Sequence, residues 1–280
     1  MLVDVPSGLT LALDRHGDDG APPVLLLHGL SGARDAWTRV VDALSPGVTG
    51  GRWQVLAIDL RGHGDSSRAG SVTDYRATAY AEDIAGLIEV LDLAPAVVVG
   101  HSLGGLTAAA LASAHPSLVR GVLLEDPPHF EGDAAVRNAS PVAAFFPKLV
   151  AAVRALQAAS APAVDYLPLV RGTVDPADEE QRCGALRRWD PTTMEAAIGG
   201  VVWEGFDPLA TIAVPMTIVA ADPAAGAVFK PHDGERVLGV NPGARLATIA
   251  GASHNVHAPA TFDAFLAELS RFLDEVLPAA

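Results

Sequence analysis

The strongest chemical signal in the chain is Gly100-His101-Ser102-Leu103-Gly104. It follows the apolar run Ala96-Val97-Val98-Val99 and leads into Leu106-Thr107-Ala108-Ala109-Ala110-Leu111, so it reads as strand, sharp turn, helix. A serine at such a turn sits in strained backbone and needs small neighbours, which Gly100 and Gly104 supply two positions to either side. The turn lifts the hydroxyl clear of a sheet and sets it at a helix N-terminus, where free N–H groups favour developing negative charge. A serine hydroxyl is a weak nucleophile until a base takes its proton, and the base needs an acid to orient it. The candidate base is His254, in Gly251-Ala252-Ser253-His254-Asn255 between the last predicted strand and the C-terminal helix; His257, in the same loop, is its rival. Three carboxylates end predicted strands and are open as the acid: Glu125 and Asp126 after Val122-Leu123-Leu124, and Asp222 after Thr217-Ile218-Val219-Ala220. His101 is assigned to local packing. His16, His115, His129 and His232 follow no core strand directly and are predicted at the surface.

The elements that must position these groups are short apolar runs separated by longer helical patterns. Val24 to Leu27, Val55 to Ile58, Val97 to Val99, Val122 to Leu124, Thr217 to Ala220 and Leu246 to Ile249 are near-continuous in hydrophobicity, as strands covered on both faces should be. Leu9 to Leu13 is weaker and is predicted as an edge strand. Helices are predicted over Asp35 to Leu44, Tyr80 to Leu91, Gly104 to Ala114 and Thr261 to Val276. In the last, Phe262, Phe265, Leu266, Leu269 and Phe272 form one stripe. This alternation predicts an α/β fold with a doubly wound, mostly parallel sheet. It stops from about Pro127 to Pro208, where helical fragments (Phe145 to Ala159, Asp178 to Trp189) lie in alanine- and proline-rich sequence. A structureless loop of that length is improbable in a compact domain. The expected division is therefore a core over residues 1–129, an inserted helical cap over 130–205, and the rest of the core over 206–280.

Composition bounds the function. Half of the 280 residues are hydrophobic, enough for a sizeable core, and the net charge of −14 argues against nucleic acid or an anionic membrane as partner. The single cysteine, Cys183, leaves neither an intramolecular disulfide nor a thiolate ligand set, which fits a reducing cytoplasm. The segment Met1-Leu2-Val3-Asp4-Val5-Pro6 does not read as a signal peptide, and no apolar run reaches the roughly 18 residues of a membrane span. The histidines are scattered without a metal-binding spacing. The glycine-rich turn lacks the Gly-Lys-Ser/Thr end of a phosphate loop and the second glycine spacing of a dinucleotide site, so no metal and no cofactor are expected.

Leu27-His28-Gly29, then Asp59-Leu60-Arg61-Gly62-His63-Gly64-Asp65-Ser66, then Gly100-His101-Ser102-Leu103-Gly104-Gly105, then Gly251-Ala252-Ser253-His254 resemble, in this order, the α/β-hydrolase fold superfamily. The resemblance covers nearly the whole chain apart from the inserted segment. It implies an oxyanion hole made by the backbone amides of Leu30 and Leu103. It also implies a bracing role for His28 and a turn-forming role for Asp59, Arg61 and His63. The family usually carries its acid in a Gly-x-x-Asp context after the strand that follows the cap. Here Ala221 replaces the glycine and Ala224 occupies the acid position, leaving Asp222 offset. Members such as haloalkane dehalogenases and zearalenone-type lactonases carry the acid after the strand before the cap. Asp126, 24 positions beyond Ser102, fits that placement and is favoured, with Asp222 the alternative.

A serine nucleophile with histidine and aspartate suits acyl transfer to water, so the expected activity is hydrolysis of an ester or lactone of a small, fairly apolar molecule. Trp37, Trp189 and Trp203 are the candidate substrate contacts, with Phe145 and Phe146 beside them. The alternatives are a small-molecule sensor of the same fold, or a haloperoxidase-like, C–C-bond hydrolase or hydroxynitrile lyase member.

Overall fold

The computed structural model describes residues 1–45, 52–130, 132–134 and 145–277. Eight strands form one sheet: β1 (Leu2–Asp4), β2 (Thr10–His16), β3 (Pro23–Leu27), β4 (Gln54–Ile58), β5 (Ala96–His101), β6 (Val119–Glu125), β7 (Met216–Ala220) and β8 (Arg245–Thr248). Their order is β1-β2-β4-β3-β5-β6-β7-β8. Pairings from β4 to β8 are parallel, while β1 with β2 and β2 with β4 are antiparallel.

The continuous hydrophobicity of the central strands has a direct cause. Along β3, Leu25 and Leu27 face one apolar cluster and Val24 and Leu26 the other, all four fully buried. The first cluster is closed by α2 (Ala77–Val90), through Tyr80, Ile84, Leu87 and Ile88, and by α3 (Leu103–Ala114). The second is closed by α1 (Thr38–Leu44), through Val40, Val41 and Leu44, and by the last helix, Phe262–Val276. In that helix Phe265, Leu269, Phe272, Leu273 and Val276 are buried, so the stripe runs one turn further than the sequence suggests. The segment expected as one helix from Asp35 begins instead as a 3₁₀ turn, Arg34–Trp37.

One strand differs from expectation. β2 is not at the edge but lies between β1 and β4. The short β1 covers its outer side, which explains why Leu11, Ala12 and Leu13 are all buried. Between β6 and β7 the described residues hold helices and no strand: α4 (Phe146–Ala158), α5 (Leu167–Val170), α6 (Glu179–Arg188), α7 (Thr192–Gly199) and a 3₁₀ turn at Val201–Trp203. The helix Pro231–Val240, α8, follows β7, and Phe262–Val276 is α9. Among the described residues no helix is long and apolar enough to cross a membrane.

Candidate active site

Ser102 stands between β5 and α3 with φ 52° and ψ −113°, backbone values that side-chain-bearing residues rarely adopt. A Cβ on Gly100 would lie 2.2 Å from the Gly104 carbonyl oxygen, and one on Gly104 2.1 Å from that of Leu27. Only glycine closes the chain this tightly. The Ser102 amide donates to the Glu125 carbonyl at 2.9 Å, which ties the turn to the end of β6. Leu103 opens α3, and its amide, like those of the whole first turn, lacks an intrahelical acceptor. Leu30 lies in the loop after β3, where Gly29 packs so closely on the serine that a Cβ there would sit 3.2 Å from Ser102 Cβ.

The next group is built on β6. Asp126, fully buried and at φ 39°, accepts from His254 Nδ1 at 2.6 Å through Oδ2. Oδ2 also accepts from the Val228 amide at 2.8 Å, and Oδ1 from the Ala221 and Phe229 amides at 3.2 Å each. Four donors converge on one carboxylate. Asp222 is turned elsewhere: its oxygens accept from the amides of Ala224 (2.8 Å) and Gly251 (2.7 Å), capping the turn at Pro223–Ala225 and tying down the start of the histidine loop. Those backbone hydrogen bonds, that of Gly251 first, lower its pKa. Among the described residues the Ser102 hydroxyl makes no hydrogen bond, and the serine is brought to His254 through its neighbour. The His101 ring lies 4.8 Å from the His254 ring, and its Nε2 donates to the His254 carbonyl at 3.0 Å.

Glu125 and His257, the rivals for acid and base, pair with each other. His257 Nδ1 lies 2.8 Å from Oε2 and 2.9 Å from Oε1, and the His257 amide donates to Oε1 at 2.9 Å. Burial alone would raise the glutamate, but His257 and then His101 hold it down at about 2. The pair is sealed under Trp37, which stacks on His257 at 4.4 Å. It fastens the histidine loop to β6.

The other histidines brace loops. His28 Nδ1 donates to the Gly29 carbonyl (2.8 Å) and Nε2 accepts from the Leu60 amide (3.1 Å). His63 Nδ1 donates to the Arg61 carbonyl (2.9 Å) and Nε2 accepts from the Ser31 amide (3.3 Å). Asp59, fully buried, accepts from the amides of Arg34 (2.7 Å) and Asp65 (2.9 Å), and Arg61 grips Asp83 with two bonds of 2.5 Å. The loops after β3 and β4 are thereby locked together.

Several expectations are corrected. His129 is not at the surface: it is buried among Phe130, Phe206 and Phe229. Trp37 and Trp189, expected to touch substrate, are fully buried in packing, the first in the cluster under α9 and the second with Nε1 donating to Thr193 Oγ1 at 2.6 Å. Their large apolar area stabilises most where water is excluded altogether. Trp203 is half-buried, and its Nε1 donates to the Pro128 carbonyl (2.8 Å) just beyond Asp126. Phe145 is exposed and Phe146 half-buried.

Burial pulls four of these imidazoles well below their ordinary 6.5: His28 and His129 to about 4, His63 and His101 to about 3. Their folded values lie below the unfolded one, so the stability they contribute is complete above pH 6.5. It is lost as the pH falls toward 3–4, because the unfolded chain then binds protons that the fold refuses. Each histidine contributes a slope on the order of 1 kcal/mol per pH unit in that window. Urea midpoints measured at pH 7.5, 6.5 and 5.5 should fall slightly over the first step, where the unfolded imidazoles begin to protonate, and steeply over the second. Equal midpoints at 6.5 and 5.5 would mean that these rings are not held neutral.

The chain belongs to the α/β-hydrolase fold family, whose pattern it matches over residues 22–173. It is 38% identical over 110 residues to an sn-1-specific diacylglycerol lipase of Mus musculus, a match covering 39% of this chain and 34% of that one. It is also 38% identical over 114 residues to a 2-(acetamidomethylene)succinate hydrolase of Mesorhizobium japonicum, covering 40% and 38%. The matches thus span little more than a third of either relative. Among solved structures, an esterase from a marine microorganism superposes with a TM-score of 0.76 at 25% identity, covering 94% of this chain and 99% of the other.

Proposed function

We propose that the protein is a serine hydrolase that cleaves an ester or lactone through an acyl-enzyme. The observation that carries this reading is the 2.6 Å bond from His254 Nδ1 to the buried Asp126 carboxylate, formed beside the strained turn that presents Ser102. With the proton on Nδ1 donated to Asp126, Nε2 carries a free lone pair and is the base. In this mechanism Ser102 Oγ attacks the substrate carbonyl as Nε2 takes its proton. The oxyanion is received by the amides of Leu30 and Leu103, and His254 returns the proton to the leaving oxygen. Water then repeats the sequence on the acyl-serine. The helices between β6 and β7 act as the cap over this edge of the sheet, with Trp203 as its substrate-facing aromatic group. The lipase, the succinate-derivative hydrolase and the esterase that the chain is similar to are named for related chemistry.

A fluorophosphonate probe should label Ser102 in the folded protein, and a screen of short esters and aromatic lactones should give many turnovers per molecule. A single turnover, with product retained, would favour the sensor reading instead. An unlabelled Ser102 would remove the serine mechanism.

A further inference from the structure

Arg182, on α6, is placed unlike the other arginines around this site. Its Nη2 donates to Ser31 Oγ at 2.6 Å and its Nη1 to the Ser31 carbonyl. Ser31 is buried, lies at φ 62°, and follows Leu30 in the loop whose Gly29 packs on Ser102. The guanidinium therefore sits within one residue of the proposed oxyanion amide. Arg34, Arg39, Arg61 and Arg188, which serve the same loops or the helices above them, each hold a carboxylate. Among the described residues no carboxylate lies within ion-pair distance of Arg182. Asp35, which acts on it electrostatically, is bound to Arg188 at 3.2 Å. The chain carries 33 acidic residues against 19 basic ones, yet leaves this cation to two neutral oxygens.

That arrangement leaves the charge without a carboxylate at contact distance. Desolvation draws the Arg182 pKa down to about 10 against the pull of Asp35, and this half-buried cation, unlike its neighbours, touches no carboxylate among the described residues. Two of the five N–H donors are spent on Ser31, leaving three in a planar fork that matches a carboxylate. Ser31 accepts from the guanidinium without neutralising it, so it orients the fork and keeps the charge available.

We propose that Arg182 binds a carboxylate of the substrate, so that the compound hydrolysed is a short half-ester or carboxylated lactone with its anionic group a few carbons from the scissile carbonyl. This rests on the serine hydrolase reading and adds the substrate class to it. The apolar residues nearby then receive only the carbon chain.

The test compares monoethyl glutarate with ethyl pentanoate, two esters of equal acyl length that differ in the terminal charge. The wild-type protein should show the higher kcat/KM on the half-ester. Arg182→Gln should lower the ratio of the two values about 100-fold, mostly through KM, and Arg182→Lys should recover part of it. Equal losses on both esters in Arg182→Gln would reduce the residue to a latch between α6 and the Ser31 loop, and a wild-type preference for ethyl pentanoate would overturn the proposal outright. Calorimetric titration with glutarate separates this proposal from the hydrolase reading. Saturable binding that Arg182→Gln abolishes supports the anion site even if neither ester is hydrolysed, and absence of binding to the wild type overturns it even if Ser102 takes up fluorophosphonate.

Discussion

Ser102→Ala lowers kcat on any hydrolysed ester by about 10⁴- to 10⁶-fold, with the folded state intact. The substitution removes one oxygen that makes no hydrogen bond among the described residues, so no buried partner is orphaned. The alanine keeps the φ of 52°, and its strain, so the melting temperature should stay within a few degrees of the wild type. Ser102→Gly gives the complementary result. It is equally inactive, yet relief of a strained backbone worth about 1–3 kcal/mol outweighs the smaller entropy cost of the glycine, and the protein should melt higher. Activity retained in either variant at a tenth of the wild-type level would assign the nucleophile to another group.

How far the sequence foretold this site follows from how local each signal is. The Ser102 turn is written in five adjacent residues because a Cβ on either flanking glycine would fall about 2 Å from a backbone oxygen, which no residue with a side chain permits. The central strands were legible because both their faces are buried and a run of Val, Leu and Ile has no other use there. The inner place of β2 is not legible in its own residues, which do not show whether a three-residue partner covers it. The places of His129, Trp37 and Trp189 are not legible in the sequence because burial depends on what lies across the fold. His129 is enclosed by Phe206 and Phe229 from far along the chain, and Trp37 by His257. Arg182 carried no signal at all. Its partner Ser31 is 151 positions away, and neither residue sits in a motif.

The two aspartates show the limit most clearly, since both end a strand facing the same loop. Asp126→Asn should cost about 10⁴-fold in kcat, while Asp222→Asn should cost less than about tenfold. The asparagine amide would present N–H groups where His254 Nδ1 now donates. The imidazole would shift its proton to Nε2, and the lone pair facing the serine would be lost. The same amide nitrogen, if placed at the Oδ2 position, would oppose the Val228 N–H that now donates at 2.8 Å. Orphaning that buried donor costs about 1–3 kcal/mol, so the variant should also melt lower, and its kinetics belong at a temperature where circular dichroism shows it folded. Asp222 serves backbone amides at the surface, and its replacement loosens the turn before His254 without touching the ring. A larger loss of kcat in Asp222→Asn than in Asp126→Asn would transfer the orienting role to Asp222 and require the histidine loop to rearrange during turnover.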